Sequence, residues 1–126
     1  MASPSPANLL QGGNLVDSVS MAADITGKWL DCRGASAAVF QFYSASGTRV
    51  GDWKLQGSLD GTNVVTLAFL NAETGAVGTV VSAANGSAQN DMIQIDPMGM
   101  PYIRPIFTSS SGTGTGLVIA TKVMEK

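Results

Sequence analysis

Histidine is absent from all 126 residues. That removes Ser-His and Cys-His nucleophilic machinery, imidazole general bases and the commonest transition-metal ligand. Cysteine is nearly as scarce. The lone Cys32 can neither close an intrachain disulfide nor complete a cysteine-based metal site, and it reads as a small apolar residue near a strand end. Charged residues make up 13% of the chain, against about 25% in an average soluble protein. The basic residues Lys28, Arg33, Arg49, Lys54, Arg104, Lys122 and Lys126 stand singly and the net charge is -2, so no basic stripe awaits phosphates. Direct nucleic-acid binding is not expected. No segment approaches the ~20 consecutive apolar residues of a membrane span. The opening MASPSPANLLQGGN lacks the basic start and apolar run of a secretory signal. The expectation is a soluble chain made in the cytoplasm, with no membrane partner.

Carboxylates are the chemistry that remains. Most of Asp17, Asp24, Asp31, Asp52, Asp60, Glu73, Asp91, Asp96 and Glu125 lie beside Gly, Asn, Ser or Thr, where an aspartate usually bonds its own backbone. A glycosidase-like acid pair across a cleft is therefore not expected, nor is any other catalytic residue or cofactor. Calcium could use the oxygen-rich stretches 60–63 and 85–91, but neither has the dense acidic spacing of a dedicated loop, and a hairpin turn accounts for the first. No metal ligand is assigned. The glycine-rich SGTGTG at 111–116 lies between two strands, so it offers no helix dipole to a nucleotide phosphate.

What the chain does have is alternation. In WKLQGSLDGTN, Trp53, Leu55, Gly57 and Leu59 alternate with Asp52, Lys54, Gln56 and Ser58, a strand with one dry and one wet face. Asp60-Gly61 supplies turn residues and VVTLAFL, 64–70, returns as the partner strand. Nine strands are expected, at 14–21, 25–31, 37–44, 50–59, 64–70, 76–82, 91–95, 101–108 and 115–124, separated by turn-rich SASGTR, LDGTN, NAETG, AANGSAQN, DPMGMP and SSSGTGT. The pattern predicts an all-β fold, a two-sheet antiparallel sandwich or jelly roll. Ala38, Phe40 and Phe42 should face its core. The last strand is apolar on both faces, with Leu117, Ile119 and Val123 opposite Val118 and Ala120, which places it centrally in a sheet or under a partner. Pro105 argues for an edge or a bulge in its strand.

Residues 1–13 differ in kind. Pro4 and Pro6 block regular pairing and Gly12-Gly13 loosens the chain, leaving Leu9 and Leu10 as an isolated apolar pair. The division expected is a flexible N-terminal arm over 1–13 and a single sandwich domain over 14–126. Leu9 and Leu10 could dock on a neighbouring subunit; so could the turn 98–101, where Met98 and Met100 precede Pro101. Trp29 and Trp53 alternate within strands, which favours a core or subunit-interface place over stacking on a sugar.

WKLQGSLDGTN together with PYIRPIFTSSSGTGTGLVIATKV resembles small β-sandwich structural proteins of tailed bacteriophages, in which a strand, a QGSxDGxN turn and a closing YIR hairpin recur. The matching positions are Gln56, Gly57, Ser58, Asp60, Gly61, Asn63, Tyr102, Ile103 and Arg104. DITGKWLDCRGASAAVFQF fits the same layout. The turn is also similar to the WxLQGSxDGxxW turn of discoidin-like carbohydrate-binding domains, although Val64 stands where those carry an aromatic. The phage resemblance implies a non-enzymatic virion component. The leading expectation is a capsid decoration or cement protein, partnered by the major capsid protein and by copies of itself in a trimer or other small oligomer. The alternatives are a tail or connector structural protein, and a glycan-binding module on a tail or baseplate with Trp53, Tyr102 and Arg104 as its sugar platform.

Overall fold

The computed structural model describes residues 9–44, 49–71, 75, 77–83, 89–97, 99–112 and 114–124. Thirteen strands lie among them, and no helix. They form two sheets packed face to face, the expected sandwich.

The seven-stranded sheet runs β1 (Leu9–Leu10), β4 (Trp29–Asp31), β12 (Tyr102–Gly112), β6 (Arg49–Ser58), β10 (Val81–Ala83). In addition β3 (Ile25–Thr26) pairs with β12, and β7 (Val64–Thr66) with β6. The six-stranded sheet runs β2 (Gly13–Ser20), β13 (Thr115–Met124), β5 (Ala35–Ser44), β11 (Gln89–Ile95), β8 (Phe69–Asn71), β9 (Val77–Gly78). Pairing is antiparallel throughout except at the edge, where β1 runs parallel to β4.

Alternation does what it should in the long strands. Ala38, Phe40 and Phe42 of β5 are buried, as are Val118 and Ala120 of β13 and Trp53 and Leu55 of β6. An aromatic chain joins the two sheets: Phe42 meets Trp53 at 5.4 Å between centroids, and Trp53 meets Phe107 of β12 at 4.9 Å. These tilted contacts suit the ring quadrupoles and fix the spacing between sheets. The expectation that β13 is central holds, since β2 and β5 flank it.

Four departures from the sequence reading have local causes. The expected strand 64–70 divides into β7 and β8, which lie in different sheets; the chain crosses at Leu67 and Ala68. The expected strand 76–82 divides in the same way into β9 and β10. The segment 25–31 breaks into β3 and β4 around Gly27, and that break explains Pro105. Far from an edge, β12 is paired on both sides, and Pro105 faces the gap between β3 and β4, where its carbonyl accepts from Gly27 N–H at 2.8 Å. A proline missing its N–H is harmless opposite a strand that is itself interrupted. Finally β6 stops at Ser58, so Leu59 is thrown out to 74% exposure while Ser58 is buried.

The expected arm is also altered. Residues 1–8 lie outside those described, but from Leu9 onward the chain belongs to the sandwich: Leu9 pairs with Trp29 and Leu10 with Leu30, and Leu10 packs against the core.

Candidate functional site

Three surface features are distinct from the core. The first is the turn after β6. Buried Ser58 Oγ accepts from Asp60 N–H (3.2 Å) and Gly61 N–H (2.8 Å) and donates to Asp60 Oδ1 (2.9 Å). Asp60 Oδ1 accepts from Thr62 N–H and Asn63 N–H, and Oδ2 from the Asn63 amide, each at 2.8 Å. Backbone donors from Asn63 and Thr62, then the Asn63 and Ser58 side chains, hold this carboxyl well below the usual carboxylate range. The QGSxDGxN sequence is therefore a self-capping loop closed by Gly61 at a φ of 81°, longer than the two-residue turn that Asp-Gly implies.

This loop walls a cleft of about 380 Å³, lined by Gly57, Ser58, Leu59, Asp60, Asn63, Val65 and Met100. Met100 reaches it because the turn at Pro97 (Met100 N–H to Pro97 C=O, 2.8 Å) brings the chain back over β6. Its sulfur occupies the space a side chain at position 57 would need, so Gly57 and Met100 are complementary. Two separately noted motifs thus meet in one place.

The remaining candidates do not converge there. Met98 lies outside the described residues. Pro101 is half-buried and its carbonyl accepts from Cys32 N–H at 2.7 Å. Leu10, Leu30, Ile103, Gly57 and Val65 form one row across β1, β4, β12, β6 and β7. At ~4.8 Å per strand, Leu10 and Val65 are about 19 Å apart at opposite edges. Cys32 is buried, and desolvation pushes its thiol up to about 12, so it serves packing.

The second feature lies on the outer face of the seven-stranded sheet, and sequence reasoning did not assemble it. Trp29 and Tyr102 are both buried, 6.4 Å apart edge to face, yet outside the inter-sheet core. Two guanidiniums roof them: Arg104 lies 4.4 Å above the Trp29 ring and Arg33 5.9 Å above that of Tyr102. Arg33 Nε and Nη2 donate to Asp31 at 2.8 and 2.7 Å, and Gln11 Nε2 donates to the same carboxylate at 2.8 Å. Those bonds, Arg33 first, outweigh the opposing desolvation and keep Asp31 strongly acidic. Lys122 Nζ, from the other sheet, donates to Gln11 Oε1 (2.8 Å) and Asp31 C=O (2.7 Å), tying β13 to β4 and to the connection that follows β1.

That arrangement corrects the sugar-platform expectation. Trp53 is 1% exposed between the sheets, whereas Arg104 and Tyr102 are on the opposite face of the seven-stranded sheet. The three cannot form one surface. Only the strand register, which pairs Arg104 with Gln56 and Phe107 with Trp53, separates these faces.

The third feature is the outer face of the six-stranded sheet. Register aligns Ile119 with Gln41 and Met92, Leu117 with Tyr43, and Leu70 with Val77. Tyr43, Leu70, Val77, Met92, Ile119 and Val123 are each 39–75% exposed. Interspersed polar positions are Gln41, Gln94 and Thr121, and on the flanking β2 Asn14, opposite Ile119, donates to exposed Asp17 at 3.3 Å, so that this charge stands at the margin of the apolar patch.

No family model matches the chain, and no curated protein matches it. Among solved structures, the crystal structure of SPBc2 prophage-derived protein YomS is similar, with a TM-score of 0.65 at 11% sequence identity, covering 87% of this chain and 91% of that one. At that identity the likeness is one of fold, and it extends over nearly the whole of both chains.

Proposed function

We propose that this protein is a non-enzymatic structural component of a tailed-phage virion, a decoration protein that lies on the major capsid lattice and cements it. The observation that carries the reading is the apolar patch on the outer face of the six-stranded sheet, with Asp17 only at its β2 margin, on a fold similar to that of a prophage-derived protein. Exposed apolar surface of this extent and continuity suits burial against other subunits. The cleft beside Met100 and the Asp60 loop offers a second, smaller contact. The partners in this reading are the major capsid protein and further copies of the chain in a small oligomer. Cementing then follows from mass action: a protein that binds only the assembled shell stabilises that shell.

Cryo-electron microscopy of virions with and without this protein tests the reading. Expected are density at repeated positions on the shell and shells that rupture at lower temperature when the protein is missing. Density at the tail alone would move the protein to a tail or connector role, and absence from virions would overturn the proposal altogether.

A further inference from the structure

Arg33 and Arg104 share the outer face of the seven-stranded sheet but are in opposite electrostatic situations. Arg33 is matched. Its fork clasps Asp31, and that carboxylate raises its pKa. Arg104 is held as firmly but by neutral groups: Trp29 lies beneath its plane at 4.4 Å, and Nε donates to Gln56 Oε1 at 3.1 Å. Among the described residues no carboxylate pairs with it. Burial without a counter-charge accordingly pulls its pKa down.

We propose that Arg104 is a recognition group for a carboxylate carried by a protein partner, its plane set by Trp29 and Gln56 so that Nη1 and Nη2 remain for a two-point hydrogen bond. An arginine ordinarily loses side-chain freedom when it binds; one already stacked and pinned through Nε has lost most of it beforehand. The geometry also selects the anion. A planar fork with one unmatched positive charge suits a planar monoanion. A phosphate dianion would need a second cation; the neighbouring Arg33 is already neutralised by Asp31, and Lys54, opposite Ile106 and two residues along β6 from Gln56, offers a flexible point charge rather than a planar fork. A free small carboxylate has the same chemistry, but a lone exposed pair binds weakly in water. A protein strand bearing an acidic side chain would also cover the half-buried Ile106 and Gln56 beside Arg104. This inference is independent of the capsid reading, which concerns the other sheet.

The test is NMR on the free, isotope-labelled protein, following the Arg104 Nε–Hε and Trp29 indole resonances during titration with an end-capped tetraglutamate peptide, with acetate and with inorganic phosphate. Expected is a saturable shift with the peptide, with acetate at least about tenfold weaker. Arg104→Met, which still covers Trp29, should abolish that response. Arg104→Lys keeps the charge without the fork and should weaken it about tenfold; it also guards against a variant that merely fails to fold. Equal peptide binding by Arg104→Met, saturation by phosphate as tight as by peptide, or no saturable shift with the peptide would each overturn the proposal.

Discussion

Asp31 is where a single residue holds most together. Its carboxylate takes Arg33, Gln11 and the Arg33 backbone N–H, while its own carbonyl receives Lys122. Because Arg33 and its companions depress the folded-state pKa, Asp31 adds stability in full above its unfolded value, about 3.9. That contribution is lost as pH falls below that value toward the lower folded one. Asp60 shifts in the same direction in its exposed loop, so both make the fold weaker in acid. Asp31→Asn should therefore cost about 1–2 kcal/mol at pH 7. The difference from the parent should shrink steadily below pH 4. Urea unfolding at pH 7 and pH 3 measures it, and a cost that does not change between those pH values would show that the carboxylate charge is not the source.

At the scale of elements, what was legible in the sequence depended on whether a strand belongs to one sheet or two. β5 and β13 each stay in one sheet along their whole length, so their period of two reads directly as inside and outside. Segments 64–70 and 76–82 cross between sheets, and their apolar residues serve two environments in turn; periodicity has no term for that. Nor could it show that a second aromatic pair, Trp29 and Tyr102, would be sealed outside the core by arginines, since that needs the register of β4 against β12. Pro105 is the instructive case, where the rule about proline was sound but its consequence fell on the neighbour. The break at Gly27 is the accommodation: a Cβ there would lie 2.6 Å from Pro105 Cγ and 2.9 Å from its carbonyl oxygen. Neither a proline ring nor a paired backbone yields easily. Gly27→Ala should destabilise by about 1–3 kcal/mol. Pro105→Ala should recover part of that loss in the double variant. A double-mutant cycle by urea unfolding reads the coupling, and strict additivity would mean that the two positions do not constrain each other.

For the whole molecule, the contrast between its two outer faces is the organising fact. One carries Arg33, Arg104, Asp31 and Lys54 and closes its own aromatics beneath guanidiniums, a charged surface with its apolar rings covered. The other presents Ile119, Met92, Tyr43 and Leu70 with glutamines and threonine between them, and Asn14 and Asp17 at the β2 margin. A sheet meant to remain wet on that side would more usually alternate apolar inside with charged or polar outside. Under the proposed function, the apolar face is the one that would meet the assembly. Ile119 lies in the middle of it, on a strand flanked on both sides, and its side chain contributes little to the inter-sheet core. Ile119→Lys should thus leave the urea midpoint of the isolated protein almost unchanged, within about 0.5 kcal/mol. On the shell the lysine would be desolvated against apolar surface, and occupancy should fall by at least about tenfold at fixed protein concentration. Thr108→Lys, exposed on the opposite sheet, supplies the control and should bind as the parent does. Co-sedimentation of each variant with shells stripped of the protein measures occupancy directly. Loss in Ile119→Lys alone would assign the contact to the six-stranded sheet, loss in Thr108→Lys alone would turn the molecule over, and equal binding by both would remove these faces from the interface.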